Sequence, residues 1–316
     1  MPVRLLALLA CLAVATPSLA HNNVHRKQPL KKSTPGPMLQ YWGGKVLSSV
    51  QLVPVFWGPN VDKTVQAKLP AFYKDFAGSA VFDWLSEYDT NIKSQAGKPG
   101  TGQHIGHGTG AAAVTITPAI KTGNLSDQQI QTELTGQITA KKLPAPTANT
   151  LYMIHFPHGV TIKNGSGTSC KDFCAYHGTT SKEVFYSVMP DQGAGSGCEK
   201  GCGTPGMSQV DLLTVSASHE IVEAVTDPEV GIATNKLGPP LGWYDPSKDA
   251  AGSQRAEIGD ICASEEGPLG AWTVQKLWSN ARHSCIIKSS DAPVAAAGGG
   301  AAGGSGGRSA SGKKKH

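Results

Sequence analysis

Met207-Ser-Gln-Val-Asp-Leu-Leu-Thr-Val-Ser-Ala-Ser-His-Glu-Ile-Val-Glu-Ala-Val-Thr226 decides how this chain is organised. Val215, Ala217, Ile221, Val222, Ala224 and Val225 leave it small or apolar nearly all round, which predicts a helix that is largely buried. Asp227-Pro228 closes it, because proline disfavours helical geometry in the residue before it. A buried helix must lie on something, and strands interleaved with helices elsewhere supply a sheet.

That apolar helix carries His219, Glu220, Glu223 and Asp227. At about 100° per residue, positions 219, 223 and 227 drift only about 80° around the cylinder, with Glu220 just beyond that arc. Buried charges need partners or an ion. A histidine and a carboxylate one turn apart can grip a metal, and a second carboxylate beside the first ligand can serve as general base. His-Glu-x-x-Glu differs by one residue from the His-Glu-x-x-His of zinc metallopeptidases. The expected roles are therefore ligands for His219 and Glu223 and general base for Glu220.

A third ligand must come from outside the helix. Asp245 in Gly-Trp-Tyr-Asp, and Glu257 and Asp260 in Ala-Glu-Ile-Gly-Asp-Ile-Cys, are the candidates. Asp260 is preferred, because Cys262 could pin its segment through a disulfide to Cys285, holding a ligand at fixed distance. Asp227 and Asp245 are expected behind the ligands or as alternatives to them. Zinc is the expected ion, with calcium or manganese as alternatives, since carboxylates suit those cations too.

Further out, Val46 to Trp57 alternates and is β-branched, predicting a buried strand ended by Gly58-Pro59. Helical spacing covers Thr64 to Phe76, a short piece at Phe82 to Tyr88, and Ser126 to Ala140 with Ser126 as N-cap. Ala112 to Ile116, Thr150 to Phe156, Glu183 to Met189, Val274 to Trp278 and Cys285 to Lys288 read as strands. Trp243-Tyr-Asp245 and Ala256 to Cys262 read as a hairpin region. The fold class expected is α/β or α+β, one domain, with a central sheet and the long buried helix.

Met1 to Ala20 reads as a signal peptide: a basic start, an apolar run from Leu5 to Ala15, and small residues at Ser18-Leu-Ala20. The apolar run is short for a membrane span. Residues 21–37 form a basic, flexible segment, 38–291 the globular body, and 292–316 a Gly/Ala/Ser-rich basic tail. The formal net charge of +5 comes largely from those ends. The body therefore offers no basis for specific nucleic-acid binding, while the tails could touch anionic surfaces weakly. Removal of Cys11 with the leader leaves Cys170, Cys174, Cys198, Cys202, Cys262 and Cys285, an even set that predicts three disulfides in an exported protein.

The remaining histidines read as hydrogen-bonded or solvated. His104 and His107 sit in a glycine-rich loop, and His155 and His158 follow a strand end. His177, three residues after Cys174, invites a Cys–His nucleophile, but that cysteine is expected in a disulfide.

The order of several short segments resembles the exordium / phosphate-induced protein family of secreted, cell-wall type. The residues are Tyr41-Trp-Gly-Gly, Val50 to Gly58, Cys170-Lys-Asp-Phe-Cys-Ala-Tyr-His-Gly178, Cys198-Glu-Lys-Gly-Cys202, Ala217 to Pro228, Gly242-Trp-Tyr, Glu257 to Cys262, and Leu277-Trp-Ser with Cys285. The resemblance implies secretion, an extracellular role and shared disulfides, with the two Cys-x-x-x-Cys segments close together. Plant members lack the His-Glu pair and the acidic end of Glu-Ile-Gly-Asp, which this chain has together. The likeness to zinc peptidases covers only His219 and Glu220.

The sequence thus points to a secreted metal-dependent hydrolase acting on a peptide or cell-wall substrate, in the medium, periplasm or wall. One alternative is a non-catalytic extracellular protein with a structural ion. Another is a carbohydrate- or surface-binding module using Trp42, Trp57, Trp243 and Trp272.

Overall fold

Alternation along three neighbouring strands builds the centre of the molecule. Leu52 and Phe56, Leu151 and Met153, and Phe185 and Met189 enter one hydrophobic cluster. Val53 and Val55, Tyr152 and Ile154, and Tyr186 and Val188 enter another. Successive side chains of a strand point to opposite faces, so the sheet is buried on both sides and its strands read as continuous apolar runs. Each such side chain contributes about 1.5–3 kcal/mol on burial.

The computed structural model describes residues 36–165, 167–229, 237–249 and 257–291. The segment expected to be a signal peptide, the Gly/Ala/Ser-rich tail and nearly all of the basic segment lie outside these. The central sheet runs in the order Thr109–Gly110, Gln51–Phe56, Thr150–His155, Phe185–Met189, Tyr176–Thr179, with Val114–Thr115 also pairing to Gln51–Phe56. Pairing is parallel except at the last strand, where Tyr176–Thr179 is antiparallel to Phe185–Met189. This antiparallel edge carries His177.

Helices cover both faces. Lys63–Ala77, N-capped by Asp62, and Gln209–Thr226 share the first cluster, through Phe72 and Phe76 and through Leu213, Ile221 and Val225. Asp127–Thr139 packs on the other face through Ile130 and Leu134, and Ser126 and Gln129 complete a capping box at its start. The chain is thus a mixed α/β single domain with a long buried helix, as its sequence implies.

The three disulfides join Cys170 to Cys198, Cys174 to Cys202, and Cys262 to Cys285. The two Cys-x-x-x-Cys segments are therefore stitched side by side. No helix among the described residues is long and apolar enough to cross a membrane.

Two local expectations need correcting. Only Gln51–Phe56 of the Val46 to Trp57 run is strand, although Val46, Leu47 and Val50 are fully buried. Apolar content marks burial there, not pairing. Trp243–Tyr244 and the Glu257–Cys262 segment form no hairpin. Trp243–Tyr244 pairs antiparallel with Gln40–Tyr41, and Asp260–Cys262 is a single 3-10 turn.

Candidate functional site

The Gln209–Thr226 helix begins where the Ser208 hydroxyl accepts from the Asp211 amide, and it ends at Asp227, whose backbone leaves the helical region. Its polar residues are used to dock the Trp272–Gln275 strand. Thr214 donates to the Thr273 carbonyl at 2.6 Å, and the Gln275 amide donates to the Ser218 hydroxyl at 2.9 Å. This places the Gln275 side chain beside His219.

Gln275 then fixes the imidazole. Its Nε2 donates to the Gly259 carbonyl at 2.8 Å, which turns Oε1 toward His219 Nδ1 at 3.1 Å. An amide oxygen can only accept, so Nδ1 carries a proton. Nε2 is left facing Glu223 Oε1 at 2.9 Å and Asp260 Oδ1 at 3.8 Å. Ligand atoms of His219, Glu223 and Asp260 all lie within 4.8 Å of one another. Around an ion with bonds near 2.1 Å, tetrahedral ligands stand about 3.4 Å apart, so these spacings suit one cation.

The Asp260 turn is held in place from two sides. The Cys262–Cys285 disulfide ties it to the Ser284–Ile286 strand, and the Asp260 amide donates to Glu223 Oε1 at 3.1 Å. Gly259 permits the close approach. A Cβ built there would stand 2.7 Å from His219 Nδ1 and 2.9 Å from Glu223 Oε1.

Two neighbours complete the cluster: Glu257, which the sequence offers as an alternative to Asp260, and His177, which it does not suggest as a ligand. His177 Nδ1 lies 3.3 Å from Glu220 Oε2 and 3.6 Å from Glu223 Oε2. Its Nε2 lies 3.2 Å from the Asp227 carbonyl oxygen and 3.7 Å from Glu257 Oε1. His177, Glu223 and Glu257 form a second group with ligand atoms within 4.8 Å, so Glu223 belongs to both. The sequence carried no signal for His177: Tyr176–Thr179 is not among the expected strands, and its register opposite Ser187 emerges only in the fold.

The balance of charge is uneven. Glu220, Glu223, Asp227 and Glu257 gather around two imidazoles, and among the described residues no lysine or arginine pairs with any of these four. With all four ionised, negative charge would exceed positive even with both rings protonated. Burial pushes the Asp227 carboxyl up to about 7, against the pull of the Gly242 amide. Burial and then the Glu223 charge push Asp260 to about 7 and Glu257 well above the usual carboxylate range. For His219, burial opposes protonation, but Glu223 outweighs it and holds the ring well above its ordinary value. Burial also opposes protonation of His177, which Glu220 and Glu223 nevertheless raise. Burial raises Glu223, but His219, His177 and the Asp260 amide together outweigh it and lower the carboxyl. This is a site that draws in positive charge.

The cluster opens onto two hollows, of ≈ 430 Å³ and ≈ 640 Å³, which share Asp172, Phe173, Ala175, His219, Glu220 and Asp260 as walls. Glu220, 4% exposed, therefore borders open space while resting against His177.

Other expected residues go elsewhere. Asp245 accepts from the Met38 amide at 3.0 Å and from the Ser247 amide and hydroxyl, so it anchors the start of the body and lies in neither group of ligand atoms. A short strand paired to Gln40–Tyr41 carried it away from the helix. Asp227 accepts from the Gly242 amide at 2.9 Å and stands behind His177. His104, His107 and His158 pair with Asp89, Asp83 and Asp191, and His155 meets the Tyr73 hydroxyl. Trp57 and Trp243 are buried, while Trp42 and Trp272 are half-buried with their indole N–H groups bonded to the Tyr244 carbonyl and Asp75. Trp57 and Trp243 therefore offer no open face for a sugar.

No family model, curated protein or solved structure matches this chain.

Proposed function

We propose that this chain is an exported metal-dependent hydrolase, with His219, Glu223 and Asp260 holding a divalent cation and Glu220 acting as general base. The observation that carries the reading is the fixed imidazole: Nδ1–H donates to Gln275 Oε1, leaving Nε2 directed at two carboxylates. Metal-binding histidines commonly donate their second N–H in this way. An ion held there would polarise a scissile carbonyl and acidify a water molecule.

The chain's own residues supply the rest. Glu220 follows His219 directly, borders both hollows and is positioned to accept a proton from a molecule seated there. His177 holds one of its oxygens and leaves the other for that task. Zinc suits the mixed nitrogen and oxygen donors; calcium or manganese would suit the carboxylates. Peptides, including those of a cell wall, are the proposed substrates. Three disulfides favour export, and the exordium-like order of segments would place the protein outside the cell.

A second reading has one observation in its favour. His219 Nε2 and Glu223 Oε1 at 2.9 Å already form a direct pair, so an ion there could serve structure alone, as in a non-catalytic extracellular protein. Casein-type cleavage by zinc-loaded protein and by Glu220→Gln separates the two. A hydrolase keeps its ion in Glu220→Gln and loses about 10²–10⁴ in rate. Undiminished cleavage by Glu220→Gln ends the general-base assignment, and no cleavage by any form leaves the structural reading.

A further inference from the structure

We infer that the site holds two cations and not one, the second between His177, Glu223 and Glu257, with Glu223 as the shared carboxylate. The inference rests on the reading of His219, Glu223 and Asp260 as a cation position and extends it inward, toward the edge strand of the sheet.

His177 is 6% exposed. Nδ1 faces Glu220 Oε2 at 3.3 Å, an acceptor, so Nδ1 carries a proton. Nε2 then faces two further acceptors, the Asp227 carbonyl at 3.2 Å and Glu257 Oε1 at 3.7 Å. In the neutral ring, three atoms bearing lone pairs converge with nothing positive between them. Lone pairs brought together out of water repel unless a cation or a proton intervenes.

Two further observations point the same way. Glu257 Oε1 is buried and, among the described residues, has no hydrogen-bond partner. Oδ2 of the fully buried Asp227, whose own carbonyl meets His177, is also without one among the described residues. Buried polar groups are nearly always satisfied, so an orphaned Glu257 oxygen 3.7 Å from His177 Nε2, with a second on the adjoining Asp227, implies a missing partner. The donor set of one imidazole, carboxylates and a main-chain carbonyl suits zinc or manganese.

Glu223 links the two positions. Oε1 lies 2.9 Å from His219 Nε2 and Oε2 3.6 Å from His177 Nδ1, so the two oxygens divide between the rings and Oε2 would reach the second ion from the Nδ1 side of His177. Paired metal ions in hydrolases stand about 3.5–4 Å apart, a span one carboxylate bridges. Glu220 would then orient His177 through one oxygen, as carboxylates behind metal-bound histidines do.

The test is elemental analysis of the full chain after equilibration with zinc and removal of loose ions, on the parent protein, His219→Ala, Glu257→Gln and His177→Asn. About two ions per chain are expected in the parent and about one in Glu257→Gln and His177→Asn. One ion in the parent, lost in His219→Ala and kept in Glu257→Gln, overturns the second position while leaving the proposed function intact. No ion in the parent sinks both. Two ions persisting in Glu257→Gln and His177→Asn place the second ion elsewhere and overturn the inference. Should those variants fail to fold, manganese-loaded parent protein decides. Exchange-coupled electron paramagnetic resonance is expected, and an isolated-ion signal at full loading rejects the pair.

Discussion

Glu223 stands between two imidazoles, with Oε1 2.9 Å from His219 Nε2 and Oε2 3.6 Å from His177 Nδ1. One buried carboxylate therefore joins a helix, an edge strand and, through the Asp260 amide, a disulfide-tied turn. The positions of the other donors are set relative to this residue.

Replacing it should cost more than any other change in the cluster. Glu223→Ala leaves two buried rings without their common partner, and breaking a buried pair costs about 3–5 kcal/mol. For a domain of this size that is a fall in Tm of about 6–20 °C, with loss of metal uptake. Thermal melts and zinc titration check it; an unchanged Tm would show that Glu223 is not the hub.

Gly259→Ala tests the closeness of the turn to the helix. The new methyl would meet His219 Nδ1 at 2.7 Å and Glu223 Oε1 at 2.9 Å, inside van der Waals contact. Overpacking of this kind costs about 1–3 kcal/mol and would push Asp260 away from its partners. Zinc affinity is expected to fall far more than stability, which calorimetric titration and a melt on the same sample can compare.

Gln275→Leu keeps volume but removes the acceptor that holds His219 Nδ1. Loss of such an outer partner typically costs about 10–100-fold in metal affinity. Affinity equal to the parent would mean that the tautomer is not set by Gln275.

The response to pH should reverse with metal. Asp227 and Asp260, raised from 3.8 to about 7, hold protons in the native state that the unfolded chain has lost. Without metal, stability therefore falls as pH rises from about 4 to about 7. His219 and His177, raised from 6.5, act in the same direction: their contribution is complete below that value and is lost as pH climbs through the folded one. Glu223, lowered from 4.5, opposes them only at the acid end, where its contribution is lost as pH falls. Cations compete with these protons, so zinc affinity rises with pH. Melts with chelator and with zinc, at pH about 5 to about 8, should converge at the acid end and diverge at the alkaline end.

The sequence made the helix and one side of the site legible, for local reasons. His219 and Glu223 are one turn apart in an apolar helix, and Asp260 lies two residues from a cysteine, so spacing alone nominated them. Glu257 was legible only as an alternative to Asp260, and His177 was not legible as part of the site. Their proximity arises because Tyr176–Thr179 lies at the antiparallel edge of the sheet, where the Thr179 hydroxyl donates to the Pro228 carbonyl just past the helix end. No periodicity encodes a pairing across that distance. Asp245 shows the converse: its acidic, aromatic setting suggested a ligand, yet strand pairing with Gln40–Tyr41 commits its carboxylate to Met38 and Ser247.

The most direct measurement is anomalous X-ray scattering at the zinc edge from crystals grown with zinc. The account predicts a peak bounded by His219 Nε2, Glu223 and Asp260, with a neighbouring peak beside His177 if the cation pair is correct. Clear density for those side chains at full zinc exposure, with no anomalous peak among them, would contradict it.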